Sequence, residues 1–205
     1  MQKADAVWEV PYLPIDPQDM GRTYEAIIRI NSQSGKGGVA YVLDHEFGLD
    51  LPKSMRVEFG KIINRIADEK GGELSNQEIR EAFEREYLQR QQPLQLDKFR
   101  AISTKDDKVE CHAQITWNGQ SQELRSKGNG PIDAFVVALR EAQIADFDIA
   151  NFTQHSLEGG AEAHAVCYIQ ISRADKSTFY GAAIDTNIEM ASIKAVVSAV
   201  NRALS

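Results

Sequence analysis

The chain has 205 residues, 42% of them hydrophobic and 26% charged, with a formal net charge of -7 and two cysteines. This length and composition allow one large globular domain or two small ones, and the acidic balance argues against a nucleic-acid partner. No apolar run approaches the roughly 20 residues of a membrane span, the start lacks the apolar core of a signal peptide, and Cys111 and Cys167 make no disulfide framework, so a cytoplasmic protein with no membrane partner is expected.

Residues 8–17 hold Pro11, Pro14 and Pro17 and read as extended chain, in which Trp8, Val10, Tyr12 and Leu13 need a partner surface. Such a segment looks like the tail of a preceding domain. Tyr24-Glu-Ala-Ile-Ile-Arg-Ile30 suits a short strand. Asn31-Ser-Gln-Ser-Gly-Lys-Gly-Gly-Val-Ala-Tyr41 reads as a glycine-rich loop. It is no nucleotide-binding loop, because Gly37 stands where the Mg²⁺-binding Ser or Thr is required.

Met55, Phe59, Ile62, Ile63 and Ile66 share one helical face, and Gly71-Gly72 ends that helix. Ser75-Asn-Gln-Glu78 is a capping box that opens a second helix with Ile79, Ala82, Phe83 and Tyr87 on one side. The polar run ending in Pro93 marks a boundary, so residues 36–92 form a mainly helical unit.

From Leu94 the period changes. Val109, Cys111, Ala113, Ile115 and Trp117 alternate with polar residues, Asn118-Gly119 signals a tight hairpin, and 120–125 returns as the partner strand. A glycine-rich loop and a helix follow at 126–140. Gly130 suits the N-cap, Pro131 the first helical position and Asp133 the first turn, while Ile132, Phe135, Val136 and Leu139 make an apolar face. Two readings stand side by side: a well-capped amphipathic helix, or a place where Gly128 and Gly130 let backbone amides hold a small ligand's carboxylate.

Residues 147–157 read as a further extended stretch, 163–171 as an alternating strand, and 177–184 as another strand. Thr186-Asn-Ile-Glu189 reads as a second capping box, opening a helix striped by Met190, Ile193, Val197, Val200 and Leu204. This half is an internal repeat: Cys111-His-Ala-Gln-Ile-Thr116 returns as Cys167-Tyr-Ile-Gln-Ile-Ser172. The order strand, strand, strand, helix is taken twice, and only 96–104 alternates poorly. The expected fold is therefore α+β: a small helical subdomain followed by two βββα repeats, whose helices cover one face of antiparallel sheet and leave the other for a partner.

No self-contained catalytic constellation is present. His45, His112, His155 and His164 lack the spacing of a metal site, no G-x-S-x-G elbow occurs, and both cysteines fall on apolar strand faces as core residues.

Taken together, Trp8-Glu-Val-Pro-Tyr-Leu-Pro-Ile-Asp-Pro17, Gly21-Arg-Thr-Tyr24, the Asn31–Tyr41 stretch, Gly128-Asn-Gly-Pro-Ile-Asp-Ala134 and Ala195-Val-Val-Ser-Ala-Val-Asn-Arg202 resemble the C-terminal part of 2-isopropylmalate synthase. That family condenses acetyl-CoA with 2-oxoisovalerate at the start of leucine synthesis, in an N-terminal barrel that uses a divalent metal. The resemblance implies that residues 1–35 end the linker from that barrel, 36–92 form a helical subdomain, and 93–205 form a regulatory domain that pairs as a homodimer and binds L-leucine. It implies no cofactor or metal in this stretch, no activity without the barrel, and feedback inhibition by leucine.

Carried over by position, the resemblance places the leucine site at Asn129, Gly130, Pro131 and Ile132, with Ile149, Thr153, Ala163, Ala165, Thr186 and Ile188. Tyr12 matches a linker tyrosine that reaches the partner's active site, an accessory catalytic role. The second repeat has Asp185-Thr-Asn-Ile-Glu189 in place of the glycine-proline pattern, so an acid there stands ready for the ligand's ammonium group. The alternatives are a dimerisation scaffold without a ligand, and an isoleucine-sensing domain of a citramalate synthase.

Overall fold

The computed structural model describes residues 36–157 and 163–205, so the extended segment at 8–17 with Tyr12, and the strand expected at 24–30, lie outside the described residues. The elements run α1 (Lys36–Phe47), α2 (Lys53–Lys70), α3 (Asn76–Phe83), β1 (Leu94–Ser103), β2 (Val109–Trp117), β3 (Gln120–Gly128), α4 (Pro131–Glu141), β4 (Asp148–Ser156), β5 (Ala165–Ser172), β6 (Thr178–Asp185) and α5 (Ile188–Ala203). Among the described residues three α-helices thus precede two βββα repeats, each repeat building its own antiparallel sheet, β1-β2-β3 and β4-β5-β6. None of the described helices is long and apolar enough to cross a membrane.

The helical unit forms around Met55, Phe59, Ile63, Ile79, Phe83 and Tyr87, all fully buried. Gly71, in the left-handed region at φ 70°, ends α2, and the Ser75–Glu78 capping box opens α3. A π-helical turn, Glu84–Leu88, continues α3 and brings Tyr87 inward. The glycine-rich stretch departs from expectation. From Lys36 onward it is not loop but α1. Val39, Val42 and Leu43 are buried in the helical core, and that packing outweighs the roughly 1 kcal/mol that each of Gly37 and Gly38 costs a helix.

In the first sheet, Cys111, Ala113 and Ile115 point into the core beneath α4. Asn118 (φ 49°) and Gly119 (φ 79°) make the two-residue turn that their sequence signals. β3 runs on to Gly128 rather than stopping near Arg125, so only Asn129 and Gly130 join it to α4. The poor alternation of β1 has a local cause: register shifts between Leu96 and Lys98. The same irregularity recurs in β4 between Ile149 and Asn151. In both repeats it sits just after the residue that faces an isoleucine on the middle strand, Ile115 or Ile171. A bulge at one place in each copy is strong evidence of a shared blueprint.

The outward sheet faces differ from expectation in one repeat. The first sheet is open, as expected, but the far face of the second is covered by the chain's own helical unit. Val166, Tyr168, Tyr180 and Ala182 join the core of α1, α2 and α3. Polar links fasten this contact: Tyr180 to Ser54 (2.5 Å), and His155 Nε2 to the Gly48 carbonyl (2.9 Å). At the far end of α5, Arg202, 9% exposed, meets Glu58 (2.6 Å) and Glu86 (2.9 Å) and lies 4.3 Å above the Tyr87 ring. Asn201 bonds both the amide and the carbonyl of Leu94, at 2.8 and 2.7 Å, tying α5 to the first strand.

Candidate ligand site

The start of α4 is assembled by close approach of strand and helix. A Cβ on Gly128 would lie 2.3 Å from the Ala134 amide nitrogen. Gly128 therefore serves contact within the chain, not the approach of a ligand. Ser126 donates from Oγ to the Ala134 carbonyl, which locks the strand to the first helical turn. Gly130 is different. It is extended (φ -163°), caps α4 with Pro131 behind it, and a Cβ there would meet nothing within 4 Å.

What caps each helix decides what its amides have left to bind. At α4, among the described residues, no side-chain cap accepts from the first turn. Asp133 turns back instead, and its Oδ2 accepts from the amide (2.7 Å) and side-chain nitrogen (3.1 Å) of Asn129. Lys108 Nζ donates to Asn129 Oδ1, so a cation stands beside the helix start. Amides with the positive end of the helix dipole behind them make a seat for a carboxylate.

At α5 the same amides are already taken. The expected Thr186–Glu189 box does not form: the cap is Asn187, whose Oδ1 accepts from Glu189 N (2.8 Å) and Met190 N (3.1 Å). Asn ranks above Thr as a cap, and its longer side chain reaches two amides. Asp185, the acid expected to meet an ammonium group, accepts from Asn187 N (2.9 Å) and Lys194 Nζ (2.6 Å). Burial raises its pKa, but the bonds from Lys194 and Asn187 outweigh burial and hold the carboxyl below its usual range.

The remaining expected residues divide between places. Ala165 pairs with Asp185 on one side and Ser156 on the other, next to Thr186, while Ala163 precedes the strand. The Ile188 carbonyl is 3.9 Å from Cys167 Sγ, which also approaches Gln154 Oε1 (3.7 Å) and Ser192 Oγ (3.4 Å). Ala165, Thr186 and Ile188 thus gather at one end of the second sheet, beside Gln154. Burial pushes the Cys167 thiol up, against the Ser192 bond that lowers it, and pushes Cys111 up to about 11, so both are unreactive core groups.

Ile149 and Thr153 do not share a face. Ile149 pairs with Ile171 on the α5 side, and Thr153 pairs with Tyr168 on the side of the helical unit. Spacing of four along a flat strand would keep them together; the bulge between them turns Thr153 over. Phe152 and Gln154 take the α5 side instead, and Phe152 (41%) and Ile188 (49%) stay exposed. Only a register that includes the bulge identifies these two β4 residues. Among the described residues no hydrogen bond joins the α4 start to the α5 start. A hollow of about 570 Å³, lined by Arg140, Phe147, Ile171, Arg173, Val200 and Leu204, lies at the opposite helix ends and holds none of the expected residues.

Comparison with known proteins adds the following. The family model of the LeuA allosteric (dimerisation) domain matches residues 73–204, and that of the alpha-isopropylmalate synthase post-catalytic domain-like family matches residues 1–44. A 2-isopropylmalate synthase of Cupriavidus taiwanensis is 43% identical over 203 residues, 99% of this chain and 35% of the relative. Those of Brucella suis (46% identical) and Mycobacterium ulcerans (45%) each match 97% of this chain and 36% of their own length. The chain spans about a third of the relatives it matches.

Proposed function

Since the chain belongs to the family of the LeuA allosteric (dimerisation) domain, we propose that it is the leucine-sensing, pairing part of an enzyme of the 2-isopropylmalate synthase kind. In this reading residues 1–35 link to a catalytic barrel, 36–92 form the subdomain that carries the signal, and 93–205 bind the effector in the cytoplasm. The condensation of acetyl-CoA with 2-oxoisovalerate belongs to parts of such an enzyme outside this chain, and Tyr12 assists it from the linker.

The observation that carries this reading is the uncapped start of α4 beside the capped start of α5. Leucine offers a carboxylate, an ammonium group and a branched apolar tail. The Gly130, Ile132 and Asp133 amides suit the carboxylate, Pro131 having no N–H to offer. Ile132, Phe152 and Ile188 offer apolar surface, and Gln154 or Thr186 a polar contact. Inhibition then requires that leucine bind the less active state more tightly than the active one.

Isothermal calorimetry with leucine, using isoleucine and valine as competitors, tests the reading. Gly130→Val suits the purpose because its extended backbone accepts a β-branched residue and its Cβ meets nothing. Saturable leucine binding that the variant loses while staying folded and dimeric is the expected result. No heat from any of the three leaves a scaffold, and preference for isoleucine points to the other branched-chain effector.

A further inference from the structure

The register of the first sheet sets an arginine on either side of a histidine on its uncovered face. Arg100 pairs with His112, and His112 with Arg125, so the three strands contribute one row. Lys98 and Lys127 stand two residues along from the two arginines, on the same face. The two guanidinium groups flank the imidazole from the outer strands, and with the two lysines they concentrate positive charge on one face, which favours a counter-charge.

Within the chain that counter-charge is sparse. Glu110 meets His112 Nε2 at 2.9 Å, whereas Glu123 reaches Arg125 only at 3.8 Å with both side chains exposed. Among the described residues Lys98 and Arg100 have no acidic partner, and the nearby Asp97 accepts from Thr116 (2.8 Å). A hollow of about 540 Å³ lies over the row, walled by Lys98, Arg100, His112, Gln114, Glu123 and Arg125. That volume suits a small metabolite. The chain as a whole is acidic, at -7, so this cationic row is not its average surface. Nor does the scaffold require it: the matching row of the second sheet is Thr153, Tyr168 and Ala182.

We propose that the open face of the first sheet binds a small polyanion of the phosphate-ester or pyrophosphate type, seated across Arg100, His112 and Arg125 with Lys98 and Lys127 at its flanks. Two guanidinium forks separated by one strand present paired N–H donors to oxygens of neighbouring phosphates, and a monocarboxylate would neutralise only one of them. This site is separate from the helix starts and does not depend on the effector reading.

Titrating the chain with inorganic pyrophosphate at low salt, followed by NMR of the backbone amides and the His112 ring, tests it. Saturable shifts confined to β1, β2 and β3 are expected. Binding should be roughly tenfold or more weaker in Arg100→Gln/Arg125→Gln and unchanged in Lys53→Gln/Lys61→Gln on the helical unit. Without ligand, the arginine variant should melt no lower than the parent, since it relieves repulsion. Equal affinity in both variants, shifts spread over other elements, or a glutamate-rich peptide saturating the row where pyrophosphate does not, would each overturn the proposal.

Discussion

The two repeats share a topology, a bulge position and a cysteine on the middle strand, yet their faces meet different neighbours. On the middle strand of the first sheet, Glu110, His112 and Gln114 face outward between buried Cys111, Ala113 and Ile115. In the second, Val166 and Tyr168 take the places of Glu110 and His112, and Tyr180 and Ala182 those of Glu123 and Arg125. One fold thus carries a face made for water and a face made for helices. The inner sides differ too. Phe99 stands edge-on to Phe135 at 5.8 Å, but Ser192 occupies the position on α5 that Phe135 holds on α4, and Phe152 is left exposed. Covering decides residue type; topology alone does not.

Exchanging outward residues between the repeats should break this contrast most sharply. Tyr180→Glu installs the first repeat's residue in the second, removing a ring that is 1% exposed and burying a carboxylate against the helical unit. Urea unfolding should register a loss of about 4 kcal/mol or more, whereas Glu123→Tyr on the open face should stay within about 0.5 kcal/mol. Equal effects would show that the two faces do not differ as described. Arg202→Met leaves Glu58 half-buried without its cation and Glu86 with Arg90 alone, and should cost about 3 kcal/mol in the same assay.

Acid should act on the covered repeat first. Burial raises the Glu86 pKa, but hydrogen bonds from Arg90 and Arg202 outweigh it and hold the carboxyl below its ordinary 4.5. A depressed carboxyl stabilises the fold fully above its unfolded value and loses that contribution as pH falls below about 4.5 through the folded value. Glu86→Gln should therefore flatten the fall of melting temperature below that pH. The smallest effects should fall at the helix starts: about 1 kcal/mol for Asn187→Ala, which removes a side-chain cap, and at most about 1 kcal/mol for Gly130→Val, which removes no side-chain hydrogen bond but puts a poorer N-cap residue in place of glycine.

The two repeats were unequally legible in the sequence. Alternation through Cys111 to Trp117 reads directly as a half-buried strand, and Asn118-Gly119 as its turn. The second middle strand, with Val166 through Ile169 all buried, blurs that alternation because both of its faces are covered. α1 was hidden by Gly37 and Gly38, since only tertiary packing makes that stretch helical. Gly130 and Pro131 announce the α4 start, but a glycine's purpose does not show in its letter: Gly128 lets a helix approach, and Gly130 leaves space open. The placement of Ile149 and Thr153 depended on a bulge, which no side-chain pattern declares.

The contrast between the helix starts is tested most directly by following backbone amides during a leucine titration. The amides of Ile132 and Asp133 should shift in a saturable way, while those of Glu189 and Met190, held by Asn187, should remain in place. Leucine binding that moves Glu189 and Met190 and leaves Ile132 and Asp133 still would contradict the account.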